Sequence, residues 1–81
     1  MRLDKFLKVS RLIKRRTVAN TVSEMGRVLV NGIQSKPAKQ LKVGDIIEIE
    51  YAKGTEKFEV LVVPQGNVSI QDSLTLYKKI N

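Results

Sequence analysis

Residues 2–17 read Arg2-Leu3-Asp4-Lys5-Phe6-Leu7-Lys8-Val9-Ser10-Arg11-Leu12-Ile13-Lys14-Arg15-Arg16-Thr17, an apolar repeat interleaved with seven cations. Leu3, Phe6, Leu7 and Ile13 fall near one helical face, and Val9 and Leu12 widen it. At 100° per residue, Lys8, Arg11 and Arg15 lie within about 60° of one another on the other side. Asp4 is expected to cap this helix, with Leu3 before it as a hydrophobic staple. Arg2 then sits just before the helix and Arg16 just after it or at its frayed end. The pattern predicts an amphipathic helix with a cationic back.

Outward from that stretch, Thr17 reads as the N-cap of a second helix running from Val18 to about Met25. Asn20 stands at the third helical position, where Glu or Gln would complete a capping box. Val18, Val22 and Met25 form the expected apolar stripe, and Gly26 is placed to end the helix. The short link through Lys14, Arg15 and Arg16 makes the two helices neighbours, as in a helix-turn-helix.

The rest is β-like. Arg27-Val28-Leu29-Val30 reads as a strand, and Asn31-Gly32 is a two-residue hairpin signal leading into Ile33-Gln34-Ser35. Pro37 makes the next segment an edge or a loop. Val43-Gly44-Asp45 turns into a strand over 46–51, with Ile47, Ile49 and Tyr51 on one face and Glu48 and Glu50 on the other. Lys53-Gly54 turns the chain into a strand over 57–63, where Phe58, Val60 and Val62 alternate. Pro64-Gln65-Gly66-Asn67 is expected to end the sheet. Ser69 and Asp72 resemble a capping box, and Ile70, Leu74 and Tyr77 keep helical spacing through a short C-terminal helix.

The charge is as uneven as the structure is regular. The 81 residues carry a net charge of +7 from 15 Lys and Arg against 8 Asp and Glu. Residues 1–16 hold seven basic side chains against Asp4 alone, while residues 17–81 are nearly balanced. So concentrated a field attracts polyanions: nucleic acid, an anionic membrane surface or an acidic protein. With 42% apolar residues the chain can form a core, and one domain over 1–81 is expected. The longest apolar run, Val60-Leu61-Val62-Val63, is far short of a membrane span. Basic residues interrupt the N-terminus, so no secretory leader is expected.

Catalysis fits poorly. The chain has no His and no Cys, which removes the usual transition-metal ligands, thiolate nucleophiles and disulfides, and no metal or other cofactor is expected. Ser10 and Ser23 have no His to activate them. Glu48 and Glu50 read as solvated carboxylates paired with cross-strand lysines such as Lys57. Neither a Walker pattern nor G-x-G-x-x-G occurs. Binding fits better, because Arg and Lys on adjoining helical turns can meet several phosphates. Candidate RNA contacts are Arg2, Lys5, Lys8, Arg11, Lys14, Arg15 and Arg16, with Lys36 and Lys39 at the periphery. Phe6, Phe58 and Tyr51 read as core, which leaves no stacking platform and points to backbone and shape recognition with little base reading.

The motifs in order are Arg2-Leu3-Asp4-Lys5-Phe6-Leu7, Arg11, Arg15-Arg16-Thr17, Gly26-Arg27-Val28-Leu29-Val30-Asn31-Gly32, Lys36-Pro37 and Val43-Gly44-Asp45. Over about residues 1–51 they resemble the S-four-type RNA-binding domain, in particular the heat-shock protein fifteen group and, more closely, ribosome quality-control factors of the RqcP type. Phe6 stands where the heat-shock group commonly has Trp, which favours the second branch. The resemblance implies an α+β fold of the αL type, two N-terminal helices packed on a small bent antiparallel sheet. It implies a non-enzymatic, cytoplasmic, ribosome-associated protein, monomeric and without a membrane role. The implied partners are rRNA of the large subunit, the P-site peptidyl-tRNA of a stalled complex and an RqcH-type factor that tails the nascent chain. Arg2 and Arg16 are the implied essential RNA contacts, supported by Lys5, Lys8, Arg11, Lys14 and Arg15. Asp4 is a cap or an orienter of a neighbouring arginine, while Thr17, Gly26, Asn31 and Gly32 shape the backbone.

Overall fold

The computed structural model describes residues 1–66 and 68–80. Helices α1 (Leu3–Val9) and α2 (Arg16–Glu24) are followed by strands β1 (Val28–Val30), β2 (Ile33–Gln34), β3 (Ile46–Tyr51) and β4 (Gly54–Val60). One turn of helix, α3 (Ile70–Ser73), and a last strand, β5 (Tyr77–Lys79), complete the order. The strands form one antiparallel sheet in the order β2-β1-β3-β4-β5. This is the expected α+β architecture of helices on an antiparallel sheet.

Period-two alternation decides which face of the sheet is covered. Val28, Val30, Ile47, Ile49, Phe58 and Val60 are buried, together with Leu3, Phe6, Leu7 and Val9 of α1 and Ala19 of α2. Opposite positions on the other face pair Glu48 with Lys57 and Glu59 with Lys78, with Leu29 beside Glu48. That face alternates charge rather than accumulating it. The hairpin at Asn31-Gly32 forms as expected, both residues lying in the left-handed region at φ 54° and 82° between paired Val30 and Ile33. Asn31 also reaches across the sheet, its Nδ2 donating to buried Asp45 (3.1 Å) and its Oδ1 accepting from the Ile46 amide (3.0 Å).

Several boundaries differ from the sequence reading. The first helix stops at Val9, so Arg11 and Arg15 are not on its back with Lys8. Ser10 is fully buried and its hydroxyl donates to the Leu7 carbonyl, and Arg11 follows with φ 63°. A side chain in the left-handed region is disfavoured, and no Gly or Pro in the sequence signals this stop. Arg11→Gly is therefore expected to stabilise the fold by about 1 kcal/mol, raising the melting temperature by about 4–8 °C for a chain of this size. Circular dichroism melts check this, and an unchanged or lower midpoint would show the turn to be unstrained.

Asp4 is not the N-cap of α1. Arg2 holds that place, and the Leu3 and Asp4 amides donate to the Lys39 and Pro37 carbonyls of the segment between β2 and β3 instead. Thr17 is likewise inside α2, whose N-cap is Arg15. Of the predicted stripe of α2 only Val22 packs against the core; Val18 and Met25 are exposed, and the fully buried residues are Ala19 and Ser23. Small side chains let α1 and α2 approach closely, and the Ser23 hydroxyl is satisfied by the Ala19 carbonyl at 2.8 Å. Gly26 does end the helix, at φ 76°, its amide donating to Ser23 and that of Arg27 to Val22.

At the C-terminal side, β4 spans 54–60 rather than 57–63, and Val62 is exposed. Asn67, expected to close the sheet, lies outside the described residues, and the sheet in fact continues. Ser69 caps α3 by accepting from the Asp72 amide, but the helix lasts one turn and Tyr77 enters β5. The open edge of β4 supplies backbone partners for 77–79, and Tyr77 meets Phe58 edge to face with centroids 5.4 Å apart. Tyr51, read as core, is at the end of its strand and exposed.

Candidate nucleic-acid interface

The centre of the cationic region is a buried carboxylate. Asp4 occupies the first turn of α1, on the side that faces α2, and its side chain is 3% exposed. Arg2 approaches from the N-cap with Nε 3.2 Å from Oδ1 and Nη2 3.3 Å from Oδ2. Arg16 approaches from the start of α2 with Nε 3.4 Å from Oδ2 and Nη2 3.5 Å from Oδ1. Oδ1 also accepts the Lys5 amide at 2.8 Å, so Asp4 satisfies one donor of the helix start without being its cap. Burial pushes the Asp4 carboxyl up, but hydrogen bonding and charge from Arg16, the Asn20 side chain and the charge of Arg2 outweigh it. The net result is a pKa below the usual carboxylate value, and Asp4 is an anion held between two guanidinium groups.

This geometry fixes two arginines that come from different helices. Each remains nearly half exposed, at 45% and 47%, so both can still meet a ligand. Asp4 takes the Nε and Nη2 edge of each, and the guanidinium N–H groups left over are the ones held in place to meet a phosphate. Between Asp4, Arg16, Thr17, Asn20 and Thr21 lies a cleft of about 440 Å³.

The other candidates are distributed around this pair. Lys5 and Lys8 follow Arg2 at three-residue spacing on α1, Lys8 exposed and Lys5 half-buried beside Met1 and the 63–65 segment. Arg11, Lys14 and Arg15 are exposed in the irregular link between the helices. Lys39 belongs to the segment that receives the α1 N-terminus, and Gln40 bridges Arg2. Lys36 lies 3.7 Å from Glu24. The structure thus brings Arg2 and Arg16 together and does not place the rest on a single helix face. Sequence reasoning missed Thr21 and the position of Asn20 against Asp4. Among the described residues no cluster of His, Cys, Asp or Glu could hold a metal ion, and no helix is long and apolar enough to cross a membrane.

Comparison with known proteins agrees with this geometry. The family model for the S4 domain matches residues 1–47. A Streptococcus pneumoniae protein named RQC P-site tRNA stabilizing factor is 44% identical over 81 residues, covering 100% of this chain and 91% of that protein. Vibrio cholerae Heat Shock Protein 15, solved as a trimer, superposes with a TM-score of 0.89 at 26% identity, over 99% of this chain and 81% of that one. The solution structure of a hypothetical protein gives a TM-score of 0.86 at 36% identity, over 100% and 98% respectively. With two helices on an antiparallel sheet, paired arginines at the helix starts and a family match over more than half its length, the chain belongs to the S4 domain family.

Proposed function

We propose that this protein is an RNA-binding factor of ribosome quality control, which binds the large ribosomal subunit carrying a stalled peptidyl-tRNA and supports tailing of the nascent chain. The observation that carries this reading is the fixing of Arg2 and Arg16 on buried Asp4. Flexible surface cations would bind any polyanion weakly. Two oriented guanidinium groups favour a folded RNA backbone with phosphates at set positions. The relative named for P-site tRNA stabilisation covers the whole chain, and this supports the tRNA as a ligand beside rRNA. Lys5, Lys8, Arg11, Lys14 and Arg15 supply further phosphate contacts in this reading, and an RqcH-type tailing factor acts on the same ribosome. The likeness to Heat Shock Protein 15 supports a second reading, a more general rRNA-binding factor acting on stalled large subunits.

Binding to isolated large subunits tests the proposal. With about five phosphate contacts, log affinity should fall against log salt with a slope of about −3.5 to −4.5. Arg2→Ala and Arg16→Ala should each weaken binding about tenfold, the loss of a hydrogen bond to a charged group. Unchanged affinity in both variants would remove the proposed site. Dependence on P-site tRNA separates the two readings: subunits with and without peptidyl-tRNA should differ for a tRNA-stabilising factor and not for a general rRNA binder.

A further inference from the structure

The cleft beside Arg16 has a chemistry that phosphate recognition does not use. Arg16 commits Nε and Nη2 to Asp4, which fixes the plane of its guanidinium while nearly half of the side chain stays exposed. A fixed, open guanidinium plane is a surface on which a base can stack. Asn20 lines the same hollow as Asp4 and Arg16. Its half-buried amide carries both a carbonyl acceptor and N–H donors beside the Arg16 guanidinium. Thr21 completes the wall. Its hydroxyl donates back to the Thr17 carbonyl at 2.9 Å, so that proton is engaged within the helix. The hollow, about 440 Å³, is shallow and open to solvent.

We propose that this cleft receives a single unpaired RNA nucleobase, stacked on Arg16 and hydrogen-bonded at its edge to Asn20. The inference rests on the RNA-binding reading above and departs from the expectation of recognition by backbone and shape alone. It makes Asn20 a specificity-determining residue, because an amide carries both a donor and an acceptor to a base edge whereas a phosphate offers only acceptors. Arg16 then serves two ligands at once, its edge held by Asp4 and its face by the base.

The test compares two RNA hairpins of equal stem length, one fully paired and one with a single-nucleotide bulge, the bulged base being 2-aminopurine in a parallel fluorescence measurement. The wild-type chain should bind the bulged hairpin about tenfold more tightly, with a change in 2-aminopurine emission. Asn20→Ala should abolish the preference and leave the salt slope unchanged, since it removes no cation. Thr21→Arg fills the cleft on an exposed helix face; it should also abolish the preference while strengthening binding to the paired hairpin. Equal wild-type affinity for both hairpins, or a preference surviving in both variants, overturns the base site but leaves phosphate binding standing. Absence of salt-dependent binding to either hairpin overturns the RNA-binding reading itself.

Discussion

Leu7→Asp is expected to yield a chain without a cooperative thermal transition and with a coil-like far-ultraviolet spectrum at 25 °C. Leu7 is fully buried in the same core cluster as Leu3 and Phe6. Removing its side chain alone costs about 2–5 kcal/mol. Placing an unpaired carboxylate there adds several kcal/mol more, or forces it to take up a proton. A domain of this size has a total stability of about 4–12 kcal/mol, so the two losses together exhaust it. RNA binding should disappear with the fold, because Arg2 and Arg16 are brought together only by the packing of α1 against α2. A folded Leu7→Asp protein would mean that the buried face of α1 has been assigned wrongly.

Asp4→Asn is expected to weaken RNA binding about thirtyfold, although it makes the chain more positive. Simple electrostatics gives the opposite sign, since removing an anion beside two cations strengthens the field felt by a phosphate. The geometric argument prevails because Asp4 orients both arginines. Freeing two long side chains adds an ordering cost of about 1 kcal/mol each on binding, which together corresponds to about thirtyfold. Tighter binding by the variant would show that Asp4 competes with RNA rather than preparing for it. The same substitution has a pH signature. The Asp4 pKa is lower in the folded chain than its ordinary value of 3.8, so its contribution to stability is complete above that value and is lost as pH falls through the folded pKa. Asp4→Asn should therefore flatten the acid limb of the stability curve below about pH 4 while lowering stability at neutral pH, as denaturant melts across pH would show.

How much of this was legible beforehand depended on whether a local signal existed. Asn31-Gly32 and Gly26 announce backbone conformations that few other residues adopt, and both turns are where the sequence places them. Alternation in 46–51 assigned the buried side of β3 because a period of two leaves no other choice. The stop at Ser10 and Arg11 had no such marker, so the apolar repeat read on past Val9 and carried two cations, Arg11 and Arg15, onto the wrong scaffold. In α2 the larger apolar residues were taken for the buried face, whereas close approach of two helices selected Ala19 and Ser23 for their size. Tyr77 met a helical template by spacing alone, and the open edge of β4 overruled it. At the site, the arginines were visible as charge, but their convergence on one carboxylate across α1 and α2 is a tertiary fact.

The alternating Glu and Lys rows on the uncovered side of the sheet have a consequence for assembly. A protein basic all around would glue neighbouring ribonucleic strands together and precipitate with them as its concentration rose. On this molecule the Glu48–Lys57 and Glu59–Lys78 pairs cancel one another, so that face offers a second polyanion little attraction and leaves adhesion to the side of the Arg2–Arg16 pair.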